Sequence, residues 1–499
     1  MFEHYKPLRN FLRGHDLWSG LATTYCYARY LQFGKALPEV LLTPKLRMGA
    51  SNISAGLWGH LVEMLARELL INAEVRGGKR FNTAAIAFKA MSMIHTLDGK
   101  SWASHSSRSN DILLQLSRIA FKQFPWLGKL TNGELTRYHM IYGHPRVAPM
   151  IEAEFGLSST ELFQIVMLLM AEMLERPTPA LEFLRPAEPS VREPVWALIG
   201  RLSKSAAEMR AEMVESQCFD VNWAFSFNPL RASPLVHAGN PRSLMCPIPT
   251  FLYQRLTDGL YFDLIRADRH FGDASGKAFE DYVGAVASAI GDGRFELRPE
   301  ACWGKPERRS VDWIILDKTA ALFVECKLGR LDIASQIEIA NTPPFLAAIE
   351  RLAGHVGQLY ATLTDALGGA YPHWQADGRP IHPIIVTFHE WFAFGPFFYK
   401  HLRECVAQVF QKRGLDAALL DRYPYAICSI TEFEGLLSAC RGASIDAVLS
   451  SKNDPEHRQW LMRGFLAKRY SGSLHASMGT FENGMDAVIS RPSRLTRQT

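Results

Sequence analysis

The stretch SVDWIILDKTAALFVECKLGR, residues 310–330, holds two apolar runs, Trp313–Leu316 and Ala321–Val324, on either side of a polar break at Asp317-Lys318-Thr319. Each run is too short for an ordinary helix and rich in branched and aromatic residues, so the pattern predicts a β-hairpin. Alternation along the second strand sends Glu325 and Lys327 to one face and Cys326 to the other. If the strands pair antiparallel, Asp312 at the start of the first lies near Glu325 at the end of the second. Two carboxylates and an amine then meet at one end of the hairpin.

Carboxylates held together raise one another's pKa unless a cation neutralises them, and a hard divalent ion with oxygen ligands answers that need. Mg²⁺ is the natural choice, with Mn²⁺ as a substitute. Such an ion polarises a phosphoryl oxygen and acidifies bound water, while Lys327 orients that water or stabilises developing charge. Phosphodiester hydrolysis suits this set of groups.

The pattern resembles the PD-(D/E)XK nuclease superfamily. Asp312 matches the aspartate of the first motif, with Val311 where proline is frequent, and Glu325-Cys326-Lys327 matches the (D/E)XK tripeptide. The tripeptide alone is weak, because on the order of two chance matches are expected in a chain of this length and composition. Asp98-Gly99-Lys100 also fits and reads as a turn. Context separates the two: an apolar strand precedes Glu325, and an acid opens its partner strand.

The resemblance, over about residues 270–440, implies a restriction-endonuclease-like fold with a mixed β-sheet flanked by helices. It implies a further acid, Glu280, from the helical stretch KAFEDYV (277–283), and a supporting Gln358 from GHVGQLYATL (354–363). The implied metal ligands are Asp312, Glu325, Glu280 and the backbone carbonyl of Cys326; Lys327 serves the attacking water. Lys305, Arg308 and Arg309 before Asp312, with Arg330 after the hairpin, are placed to hold a phosphate backbone, a positioning role without base readout. DNA is favoured over RNA as the partner, and a bacterial restriction or anti-phage role follows by analogy with the family. An RNA- or tRNA-cleaving enzyme, and an idle fold that only binds nucleic acid or protein, are the alternatives. A dimer is expected if both strands are cut.

The net charge of +5 permits a nucleic-acid partner without demanding one. With 499 residues, 47% hydrophobic and 21% charged, the chain has the composition of a soluble protein of several domains. The eight cysteines form no CxxC pair and no leader opens the sequence, so reduced thiols in a cytoplasmic protein are expected. The most apolar stretch, 162–174, is too short for a membrane span and contains Gln164 and Glu172.

The expected class is therefore α+β, multidomain: a mostly helical N-terminal domain followed by the nuclease-like domain. Residues 1–175 show helical periodicity, as in Trp58, Leu61, Val62, Leu65 and Leu69, and a capping box at Ser158–Glu161. This half is expected to sense a trigger, bind a protein partner or gate the site. Five prolines open a linker and helix at 176–219, a small β insertion and lead-in helix span 220–269, the nuclease domain runs over 270–470, and 471–499 reads as a flexible tail. Gly272–Ala278 imitates a phosphate-binding loop, but its glycine spacing is one residue short and Ala278 replaces the metal-binding hydroxyl, so no ATPase is inferred.

Overall fold

The computed structural model describes residues 1–103, 118–126, 131–181, 184, 187–220, 222–329, 343–391, 396–478, 480–491 and 493–495. The chain is α+β, with mixed sheets flanked by helices. Ser203–Ser205 (β1), Leu235–His237 (β2) and Leu244–Met245 (β3) form a small sheet. Glu296–Pro299 (β4) follows, then a two-strand ribbon of Cys302–Trp303 (β5) and Arg308–Arg309 (β6). Trp313–Leu316 (β7), Ala321–Lys327 (β8), Ile381–Thr387 (β9) and Ala426–Ser429 (β10) complete a central sheet of order β10-β9-β8-β7-β4.

In that sheet the pairs β4–β7 and β7–β8 are antiparallel, whereas β8–β9 and β9–β10 are parallel. The hairpin turns at Asp317, whose Oδ1 accepts from the amides of Thr319 (2.7 Å) and Ala320 (2.9 Å). This is an Asx turn, which satisfies two amides while reversing the chain. The parallel step from β8 to β9 needs a long connection, and the crossover helix Pro343–Leu367 lies within it. Pro383 is tolerated inside β9 because β10 pairs only from Ile384 onward.

Both faces of the sheet are covered, which is why β8 is buried along its length up to Lys327. Leu322, Val324 and Cys326 join a core with the lead helix Phe271–Gly291 and the helix Ile430–Gly442. Ala321 and Phe323 point the other way, into a core with the crossover helix and the helix Pro396–Arg413. The lead helix approaches the sheet closely at Gly284, where a Cβ would lie 2.1 Å from Cζ2 of Trp313. The Trp313 indole also donates to the carbonyl of Glu280 at 2.8 Å, pinning the acid-bearing turn to β7.

The apolar cores group the first half differently from the expected boundaries. Apolar residues from Tyr5 to Leu97, with Trp126, share a core with Met209, Trp223, Leu230, Val236 and Phe251, whereas the helices Asn132–Tyr142, Ser159–Glu175 and Pro189–Arg201 pack into the core beneath the sheet. The 1–175 boundary therefore falls within the second group. The expected tail is corrected: Met485, Val488 and Leu495 are buried in that same core, and Gln164 Nε2 donates to the carbonyls of Val488 (2.9 Å) and Arg491 (3.0 Å). Arg494 closes the attachment by a bidentate pair with Glu161, both contacts at 2.7 Å. Among the described residues no single helix is long and apolar enough to cross a membrane.

Candidate functional site

Register builds the site. Pro299 pairs with Trp313, and Trp313 with Val324. One residue beyond these pairings, Glu300, Asp312 and Glu325 stand at the same end of β4, β7 and β8. Like charges directly opposite one another destabilise a sheet. Glu280 approaches the same end from the lead helix, close enough to act electrostatically on Asp312, Glu325 and Glu300.

Each carboxylate has a partner supplied by the chain. Asp312 Oδ2 accepts from the Cys326 amide at 2.6 Å. Glu325 Oε1 lies 2.6 Å from Lys327 Nζ, Glu280 Oε2 lies 3.0 Å from Lys277 Nζ, and Glu300 Oε2 lies 3.7 Å from Arg309. Four acids thus face three cations. Asp312 and Glu325 are almost wholly buried, at 9% and 2% exposure. Burial, then the neighbouring Glu325 and Glu280, push the Asp312 carboxyl well above its ordinary range. Burial also raises Glu325, only partly opposed by Lys327, and raises Glu300 in the same way against Arg309. Lys327 is held above its usual value because Glu325 and Asp312 outweigh the cost of its burial.

This is an oxygen-only donor set with a surplus of negative charge, which fits a hard divalent cation. The donor atoms are not drawn together around a point, because Lys327 holds Glu325 and the Cys326 amide holds Asp312. Among the described residues only Asp454, Glu456 and His457 bring three atoms able to ligate a metal, two oxygens and a ring nitrogen, within 4.8 Å of one another. A metal here would compete with Lys277, Lys327 and Arg309 for these carboxylates.

Of the residues expected from sequence, Asp312, Glu325, Lys327 and Glu280 converge. The Cys326 thiol points to the opposite face, into the core, so only its backbone can serve the row. Gln358 is exposed on the crossover helix; one turn earlier on that helix His355 feels Lys327, and burial followed by Lys327 and Arg351 lowers it to about 4. Lys305, Arg308 and Arg309 are all exposed on the ribbon beside the row. Arg308 pairs with Asp365 at 3.2 Å, and Arg309 also with Glu307 at 3.6 Å. Arg330 lies outside the described residues. Glu300, Lys277 and His355 are the members that sequence reasoning missed. Comparison of the chain with protein-family models, with curated proteins and with solved structures gave no match.

Proposed function

We propose that this chain is a metal-dependent nuclease of the PD-(D/E)XK type that hydrolyses phosphodiester bonds, with DNA as the favoured substrate. The observation that carries the reading is the convergence of Asp312, which accepts from the Cys326 amide at 2.6 Å, Glu325, which lies 2.6 Å from Lys327, and Glu280, which acts on both acids. The order of elements adds support: an acid-bearing helix, three antiparallel strands, a crossover helix and a parallel strand follow one another from residue 271 to residue 387.

Asp312, Glu325 and the Cys326 carbonyl would hold Mg²⁺ or Mn²⁺, with Glu280 or Glu300 beside them, and the bound ion would supply Lewis acidity toward a phosphoryl oxygen. Lys327 stays protonated, held against Glu325, and is placed to donate to the attacking water or to a phosphate oxygen. His355, neutral near pH 7, adds a ring to the same side without adding positive charge. Lys277 and Arg309, which pair with Glu280 and Glu300 and also with Asp281 and Glu307, would offer positive charge to a phosphate beside the site. A part in restriction or defence against foreign DNA rests on the family resemblance alone.

Cleavage of supercoiled plasmid, linear duplex, single-stranded DNA and RNA with Mg²⁺ or Mn²⁺ tests the reading, with Asp312→Ala and Lys327→Ala as controls. Metal-dependent cutting that disappears in both variants is the expected result. Cutting that survives both moves the active site elsewhere. A chain that cuts nothing and whose melting temperature ignores both metals would overturn the proposal.

A further inference from the structure

A second site lies where the two halves of the fold meet. A cleft of about 940 Å³ opens between the helix Gly59–Asn72, the segment 224–233 and the helix Leu260–Ala267. Eight lysines and arginines line it against four carboxylates. Most of that charge is spent: Arg231 is paired with Glu63 and Arg201 with Glu154, while Arg67, Lys122 and Lys204 pair with Glu68, Asp98 and Glu212 behind the wall. Arg118 bonds the neutral Asn222, and Arg255 and Arg266 share the carboxylate of Asp263, at 2.7 and 3.5 Å.

Two donors at this cleft are unspent. Asn228 is 4% exposed, and its Nδ2 is buried without a hydrogen-bond partner; Nη1 of Arg255 is buried without one as well, as is the acceptor Oδ2 of Asp263. A buried donor left unsatisfied costs roughly 1–3 kcal/mol, so each selects for an acceptor. Beside them stand aromatic rings open to the cleft: Phe227, next to Asn228, is 39% exposed and Phe262, one helical turn before Arg266, is 46% exposed. Deeper in, the Arg118 guanidinium lies 3.5 Å from the centroid of the Phe225 ring. Unspent donors and shared arginines at one end, with ring faces adjoining, suit a ligand that is anionic at one end and flat at the other. The volume matches that of sites for ligands of about thirty heavy atoms.

We propose that this cleft binds a free nucleotide, its phosphates at Arg255, Arg266 and Asn228 and its base against Phe227 and Phe262. The site is separate from the acid row, although one continuous run of chain joins them: the helix Leu260–Ala267 leads through three residues into the lead helix that carries Glu280.

Calorimetric titration of the full chain in EDTA with ATP, GTP, CTP and UTP, and with adenosine and inorganic triphosphate as fragments, tests the assignment. At least one nucleotide is expected to bind, with each fragment weaker by about tenfold or more. Arg266→Glu and Phe227→Ala, both at exposed positions, should each weaken binding about tenfold while leaving the melting temperature within about 2 °C. Binding should persist in Asp312→Asn. The assignment is overturned if no nucleotide binds at about 1 mM, or if triphosphate alone binds as tightly as the nucleotide. It is equally overturned if neither cleft variant weakens binding, or if Asp312→Asn abolishes it.

Discussion

The lead helix Phe271–Gly291 carries two clusters of buried charge two residues apart, built on opposite principles. Glu280 leans toward the acid row, where four carboxylates share three cations and burial holds Asp312 well above its ordinary pKa. Tyr282 leans toward the helices Asn132–Tyr142 and Ile430–Gly442, where Arg137 meets Glu434 in direct contact and Glu134 is a second, more distant carboxylate. Its hydroxyl donates to Glu434 at 2.8 Å, Arg137 Nη2 reaches both oxygens of Glu434 at 2.9 Å, and Arg137 Nη1 donates to Thr431 at 3.1 Å. Burial would lower Arg137, but Glu434 and Tyr282 outweigh it and hold the guanidinium above its usual value. The ingredients are the same and the bonding differs. A carboxylate whose oxygens are filled by three hydrogen bonds, as Glu434 is, acts as a strut; a cluster with charge left over seeks a ligand.

The comparison breaks first, and most visibly, at Lys327. If the row is an active site, Lys327→Ala should lower metal-dependent cleavage roughly 10³-fold, the scale of a lost charge-stabilising group. The melting temperature should change little, because the Glu325 carboxyl left behind can take up a proton or a metal. Single-turnover cleavage rates beside a thermal melt check both halves; a large drop in melting temperature would make Lys327 a strut like Arg137.

Arg137→Ala should do the reverse. It strands Glu434 in the core and should cost about 3–5 kcal/mol of unfolding free energy. The paired change Arg137→Leu with Glu434→Leu should recover most of that, since neither partner is then left charged and alone. Denaturant unfolding of the two variants decides it: equal losses would show that packing around Arg137, not its charge, holds the helices together.

How far these clusters are legible in sequence follows from the same geometry. Asp312, Glu325 and Lys327 can be read because two equal apolar runs around one turn fix an antiparallel register, and register places side chains. Glu300 cannot, since β4 is exposed to half-buried and shows no apolar alternation, and the ribbon separates it from its partner strand. On the crossover helix the apolar stripe marks the buried face, but only packing decides that His355 and not Gln358 lies against Lys327. Arg137 and the cleft draw on segments more than a hundred residues apart, which no local pattern joins. The docked end of the chain escaped notice because Met485, Val488 and Leu495 are isolated apolar residues in Gly, Ser and Arg text without a period.

A smaller effect of opposite sign sharpens the contrast. In EDTA, Asp312→Asn should stabilise the chain by about 1 kcal/mol, because it removes one of the carboxylates that burial and neighbours disfavour, as functional groups in strained surroundings often do. Adding Mg²⁺ should raise the melting temperature of the wild type and not that of the variant, by mass action on the folded state. A variant less stable than the wild type in EDTA would mean that the Cys326 amide contact outweighs the repulsion across the row.

The smallest expected effect lies at the far end of the chain and has a definite pH sign. Burial raises the Glu161 carboxyl, but Arg494 and the Ser158 cap outweigh it and hold it at about 2, below the usual range. A depressed folded-state pKa contributes stability that is present above the unfolded value, near 4.3, and is lost as pH falls from there toward 2. Arg494 is partly exposed, so solvent screening limits the pair to about 1 kcal/mol at neutral pH. Arg494→Met should remove that amount and flatten the acid limb of the stability curve between pH 4.3 and 2 relative to wild type. Hydrogen exchange should rise for the amides of 484–491, because the pair and the Gln164 contacts fasten the same segment to the helix Ser159–Glu175. If exchange there is already fast in the wild type, the segment is not fastened by Arg494, and the acid limb must arise from the Ser158 cap alone.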